Sequence, residues 1–212
     1  MKIAVIGASG KAGNLILKEA VNRGHQVTAI VRSANKTSNK QVEVIEKNIF
    51  DIQSSDIQGF DVIVNAFNAV PGQEHQHIEA GKVLIAALKS APNTKMIVVG
   101  GAGSLYVDES KTLRVMDTPD FPAAYFPTAS NMGKGFEELQ STEGIHWTYI
   151  SPSAFFDPEG KRTGSYVKGK DHLLVNVKGD SYISYSDYAI AVLDEIEQPQ
   201  HENERFTVVG EA

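Results

Sequence analysis

Three glycines, Gly7, Gly10 and Gly13, follow the apolar run Ile3-Ala4-Val5-Ile6 at intervals of three and precede a helical pattern that includes Leu15 and Ile16. A loop of this kind presents main-chain N–H groups to a diphosphate. The first glycine permits the turn out of the strand, the second lets backbone approach the anion, and the third lets helix pack on strand. The helix N-terminus adds a partial positive charge. The spacing carries weight because a strand precedes it and a helix follows; elsewhere it would mean only a glycine-rich turn.

The second apolar run, Ala29-Ile30-Val31, ends in Arg32, and the next carboxylate along the chain is Glu43. An acid at that strand end would hydrogen-bond the ribose 2′-hydroxyl of NAD, whereas a guanidinium forks onto the 2′-phosphate of NADP. NADP(H) is therefore expected over NAD(H), with Lys11 and Lys36 adding charge. A bare solvated arginine is the alternative.

For proton transfer, a Tyr-x-x-x-Lys pair would let the lysine charge acidify the phenol. The one match is Tyr166 with Lys170, in a polar, glycine-containing stretch after the sixth strand, and it reads as chance. Tyr125 is in the expected region, but the fourth residue after it is Ala129, which cannot lower a pKa. The dyad is absent, leaving Tyr125 to pack on a ring or to anchor its loop. Ser104, after Gly100-Gly101-Ala102-Gly103, could donate a hydrogen bond to a substrate oxygen or could be a turn residue. His75 and His77 lack a third ligand and read as a solvated pair, so no metal is expected. Trp147, Phe155 and Phe156 could wall an apolar cleft whose opposite lip is Phe121, Pro122 and Tyr125; core packing is the alternative.

The elements that must hold these groups are read from periodicity. Strands are expected at residues 3–6, 27–31, 42–45, 62–64, 96–99 and 147–150, with helices near 15–24, 74–90 and 129–142. Strands separated by helices need crossovers, which give a doubly wound parallel α/β sheet, the Rossmann fold. After Pro152 the rhythm changes. Residues 173–177 and 182–183 flank a turn at Lys178-Gly179-Asp180, Ser186 could cap a helix through residue 196, and residues 206–209 look like a final edge strand. The expectation is one domain over 1–212, with 152–185 a small C-terminal substrate-side elaboration.

Composition agrees. The chain has 212 residues, 42% hydrophobic and 22% charged, which excludes a disordered or fibrous class. At this length roughly 70% of the unfolded surface can be buried without staples. A net charge of −6 argues against nucleic acid or an anionic membrane as partner, and the absence of Cys suits a reducing cytoplasm. A small-molecule substrate and a monomer or small homo-oligomer complete the expectation.

Four stretches, Gly7-Ala8-Ser9-Gly10-Lys11-Ala12-Gly13, Val31-Arg32, Asp61-Val62-Ile63-Val64-Asn65-Ala66 and Ser184-Tyr185-Ser186-Asp187-Tyr188-Ala189, occur in this order in atypical short-chain dehydrogenases/reductases. The chain resembles their NAD(P)H-flavin reductase and biliverdin-IXβ-reductase-like group, which borders the NmrA-like proteins. The resemblance implies that Gly7, Ser9, Gly10, Lys11 and Ala12 line the pyrophosphate and that Arg32 meets the 2′-phosphate. It also puts Asn48 and Ile49 at the adenine, where Asn48 replaces a usual Asp. Ala66 and Phe67 would lie beside the adenosine half, and Gly100 and Gly101 beside the nicotinamide half. The implied activity is hydride transfer to a flat conjugated acceptor such as a flavin, quinone or tetrapyrrole. The alternatives are an NmrA-type dinucleotide sensor without turnover and a nucleotide-sugar epimerase or dehydratase.

Overall fold

Each residue of the first strand faces a different layer from the one before it, and this alternation organises the molecule. In β1 (Lys2–Ile6), Ile3 and Val5 belong to one apolar core while Ala4 and Ile6 belong to a second. A strand apolar at every position after its exposed first residue, Lys2, has to be covered on both faces. The computed structural model describes residues 1–34 and 42–211. The covering helices α1 (Lys11–Asn22) and α5 (Tyr185–Glu197) pack together on one face. On the other lie α2 (Ser54–Ile57), α3 (Gln76–Lys89) and α4 (Phe126–Gln140).

The remaining strands are β2 (Gln26–Val31), β3 (Glu43–Glu46), β4 (Val62–Asn65), β5 (Lys95–Val99) and β6 (His146–Ser151), then β7 (Phe155–Asp157), β8 (Val167–Gly169), β9 (Tyr182–Ser184) and β10 (Glu204–Val209). The main sheet runs β3-β2-β1-β4-β5-β6-β10-β8, parallel throughout except for the antiparallel β10–β8 pair. This is the doubly wound Rossmann arrangement. Chain order reverses beside β1, so β1 and β4 diverge into opposite halves and leave a crevice at their carboxyl ends. The two-stranded β7–β9 sheet stands apart.

Four expectations need correction. Residues 206–209 do not form an edge strand: β10 is buried between β6 and β8. The true edge, β8, is three largely exposed residues with no alternation to betray it. Residues 173–177 form no strand, because Asn176 captures the chain in a turn. Its Oδ1 accepts from the N–H groups of Lys178 and Asp180, each at 3.0 Å. The cap of α5 is Ser184 rather than Ser186, its Oγ accepting from Asp187 N–H at 3.0 Å. Finally, α4 begins at Phe126, three residues before the expected start, with Pro127 in its first turn where a missing N–H costs nothing.

The segment between β7 and β9 is pinned to the body by buried acids. Asp187, fully buried, accepts from Thr163 N–H, Gly164 N–H and Thr163 Oγ1 at 2.8–2.9 Å. Glu19 on α1 accepts from Arg162 at 2.7 Å and from Arg23 at 2.9 Å. Among the described residues, no helix is long and apolar enough to cross a membrane.

Candidate functional site

At the carboxyl end of β1 the chain turns at Gly7, whose φ of +79° favours glycine. A Cβ there would lie 2.5 Å from the Ala66 carbonyl oxygen, so Gly7 is also required by close approach. Gly10 N–H donates to the Gly7 carbonyl at 2.9 Å, closing the loop. Gly10 is then the N-cap of α1, and a glycine offers no capping side chain. The first-turn N–H groups at Lys11, Ala12 and Gly13 are left for an external acceptor, the condition under which a helix N-terminus takes a phosphate.

Beside this loop is a cavity of about 150 Å³, lined by Gly7, Ser9, Gly10, Arg32, Ile49, Ala66 and Phe67 among the expected residues. Lys47 and Asn68 join them unforeseen, as do Ile6, Ile30 and Val31 from the floor. Lys47 was hidden by its position one residue past a short strand; it also pairs with Asp56 at 2.6 Å. The Phe67 ring is held edge-on between Phe50 and His77, at centroid distances of 5.8 and 5.7 Å. A cradle of uncapped amides, a guanidinium, an ammonium and a flat apolar wall fits a dinucleotide.

The other expected residues stand differently. The Lys11 ammonium is turned away to Glu159, on the loop after β7, at 2.9 Å, and that carboxylate holds its pKa up. The Asn48 side-chain Oδ1 accepts from Phe50 N–H at 3.4 Å and so caps the short turn Ile49–Asp51. Lys36 lies outside the described residues. Gly100 and Gly101 follow β5. A Cβ on Gly100 would meet the Tyr149 ring at 2.2 Å, and Gly101 N–H donates to Tyr149 Oη at 3.2 Å. Tyr149 is a strand residue that its sequence position does not distinguish from core; burial pushes its phenol pKa up.

Beyond that turn opens a cleft of about 700 Å³. Ala102, Phe121, Pro122 and Tyr125 line it on the β5 side, and Ala154, Phe155, Ser181 and Tyr182 from the β7–β9 side. Tyr125 and Phe155 are exposed by 66% and 60%, with Phe155 meeting the Tyr182 ring at 5.7 Å between centroids. Two expected wall residues are core instead: Trp147 packs on Phe136, and Phe156 packs between Tyr185 and Tyr188. Ser104 does not line the cleft either; its Oγ accepts from Arg205 at 3.0 Å, beneath the turn. His77 is not solvated as expected: its ring is half-buried against Phe67, and burial lowers its pKa. Tyr166 donates to Asp194 at 2.8 Å, a partner on α5. Among the described residues, no group of three or more His, Asp or Glu gathers as a metal centre would need.

A Rossmann sheet with an open-capped glycine loop at its crevice defines a dinucleotide-binding protein. The chain belongs to the NAD(P)H-binding family whose sequence profile matches residues 7–199. It is 65% identical, over the full length of both chains, to the uncharacterized protein YwnB of Bacillus subtilis strain 168. A solved Streptococcus pneumoniae TIGR4 protein, provisionally named an NADH-flavin reductase, superimposes with a TM-score of 0.95 at 41% identity over all of both chains. An anaerobillin reductase of Escherichia coli O157:H7 shares the fold, with a TM-score of 0.77 at 17% identity over 99% of this chain and 97% of that one.

Proposed function

We propose that this protein is an NAD(P)H-dependent reductase delivering hydride to a flat conjugated acceptor, with NADP(H) favoured over NAD(H). The observation that carries the reading is an aromatic cleft opening directly past the β5 turn, at the same sheet edge as the amide cradle of β1. When bound, the dinucleotide supplies the two electrons and the hydrogen. The chain's own residues bind and align. First-turn amides of α1 neutralise the diphosphate, Arg32 and Lys47 favour a phosphate on the adenosine side, and Tyr125, Phe155 and Tyr182 offer ring faces to a planar acceptor. Holding donor and acceptor at near-attack distance is the main protein contribution such a transfer needs.

Ala129 stands where a lysine would have to assist Tyr125, so the Tyr-x-x-x-Lys pair of alcohol–ketone chemistry is not formed there. An acceptor that takes its second proton from solvent has no need of one. In this reading Tyr125 is a wall of the cleft, Ser104 fixes the turn beside it, and residues 152–185 close the substrate side. The name of the Streptococcus relative supports a flavin among possible acceptors.

The test is loss of reduced-nicotinamide absorbance with NADPH or NADH and, in turn, flavin, quinone and biliverdin. Turnover with at least one, faster at limiting NADPH than at equal NADH, is expected. Tight dinucleotide binding without turnover on any acceptor would overturn the reductase reading in favour of a sensor.

A further inference from the structure

The acceptor cleft carries charge of one sign. Asp120 stands on the lip with Phe121 and Pro122, and Asp180 stands opposite, beside Ser181 and Tyr182. Both are exposed, and neither carboxylate has a hydrogen-bond or ion-pair partner among the described residues. Among the described residues no Lys or Arg lines the cleft; Lys178, two residues before Asp180, lies outside its lining. Of the four hydroxyl side chains among the described lining residues, three are engaged and Tyr125 is not. Thr118 Oγ1 donates to the Val115 carbonyl at 2.8 Å, Ser181 Oγ accepts from Ala154 N–H at 3.1 Å, and Tyr182 Oη donates to Asp157 at 3.0 Å. Beneath the Tyr182 hydroxyl, then, lies a further negative charge. The dinucleotide cradle is the reverse: among the described residues its lining holds Arg32 and Lys47 and no carboxylate, Asp56, the partner of Lys47, standing outside it.

We infer that the cleft selects acceptors without anionic side chains: uncharged flavin or quinone rings, in preference to phosphorylated flavins and tetrapyrrole carboxylates. The inference rests on the reductase reading and narrows it. In the step concerned, the reduced dinucleotide gives the ring system two electrons and one hydrogen. The ring takes one more proton from solvent, and the oxidised dinucleotide departs. The aromatic walls hold any flat ring alike, so discrimination falls on what the ring carries. An anionic tail meets Asp120 and Asp180 across a wet cleft, where repulsion is modest and salt-screened.

Riboflavin and its 5′-phosphate, FMN, share one ring system and differ in charge, which makes them the probe. With NADPH as donor at low ionic strength, the KM for FMN is expected to exceed that for riboflavin by about five- to tenfold at similar kcat, falling to about twofold in roughly 0.5 M salt. In the D120N/D180N double variant the KM ratio should fall toward one. Quenching of flavin fluorescence on binding to the NADP⁺-loaded protein gives the same ratio without turnover. Equal KM values for both flavins, or a lower one for FMN, overturn the charge selection and leave the reductase reading standing. If NADPH shifts the melting temperature but neither flavin binds nor reacts, while a quinone does, flavin is struck from the acceptors. The inference then passes only if an uncharged quinone outcompetes its sulfonated analogue. No turnover with any acceptor removes the reductase reading and the inference together.

Discussion

The Arg205 guanidinium, on β10, donates to both oxygens of Ser104, at 3.0 Å to Oγ and 3.1 Å to the carbonyl. Its other edge holds Asp171 at 2.9 and 3.0 Å, and its face covers the Phe136 ring at 4.6 Å. One buried side chain from the far end of the sequence thus fixes the turn after β5, where the aromatic cleft begins. A hydroxyl that reads as a substrate contact from sequence is held from below instead.

Arg205→Met should therefore cost far more than Ser104→Ala. The methionine leaves the Ser104 carbonyl unsatisfied and Asp171 with only Lys111, at 2.8 Å. About 2–4 kcal/mol is expected, toward the lower part of the range for breaking a buried pair because Asp171 is partly exposed. Ser104→Ala removes one hydrogen bond, about 1 kcal/mol, and keeps the carbonyl contact. Thermal melts of the two variants decide it; equal losses would mean that Arg205 is not the anchor.

Acid should loosen the segment between β7 and β9 at Glu19. Hydrogen bonds from Arg162, helped by Arg23, hold this carboxyl below its ordinary value of 4.5. A depressed carboxylate stabilises the fold fully above the unfolded value, and the contribution is lost as pH falls through the folded one. Wild type should melt above Glu19→Gln at neutral pH, by roughly 2 kcal/mol for a pair between the exposed and buried regimes. The gap should narrow as pH drops below about 4.5. A gap that stays constant with pH would assign the effect to packing.

The sheet was legible because its strands are buried on both faces and announce themselves as apolar runs such as Ile3-Ala4-Val5-Ile6. The cradle was legible because glycine alone tolerates the contacts at Gly7 and Gly13. What escaped was decided by tertiary pairing. Val167–Gly169 becomes a strand only because β10 offers it an edge, and Leu173 to Val177 loses to the side chain of Asn176. Trp147 and Phe155 look alike as aromatics near strand ends, yet the first is buried by Phe136 and the second faces the cleft. Periodicity does not carry that difference.

Gly13→Ala pits two known effects against each other. In a helix, alanine gains about 1 kcal/mol over glycine. Here the new Cβ would lie 2.4 Å from the Gly7 carbonyl oxygen and 2.9 Å from its carbon. Those atoms are backbone and cannot swing aside, so the clash prevails, at about 1–3 kcal/mol net loss. The readouts are melting temperature and NADPH affinity, and both should fall because the displaced atom belongs to the cradle itself. A more stable variant with intact binding would show that α1 can slide, and that the third glycine is dispensable.

Arg32 sets the dinucleotide preference in the proposed function, and reversing its charge tests that directly. It is exposed at the end of β2 beside Lys47, and among the described residues no carboxylate pairs with it. A guanidinium so placed can fork onto a 2′-phosphate, at about 1.5–3 kcal/mol for a charge-assisted contact. That corresponds to roughly ten- to a hundredfold in affinity. Arg32→Glu removes the fork and adds repulsion against the phosphate while offering an acceptor to a 2′-hydroxyl. NADP affinity should fall by at least that factor, and NAD affinity should hold or rise, inverting the ratio. Calorimetric titration of both variants with both dinucleotides measures it, and Arg32→Lys should fall between, since an ammonium keeps the charge and loses the fork. An unchanged ratio in the glutamate variant would move the reading of the 2′ position away from β2 altogether, with Lys47 the next residue to replace.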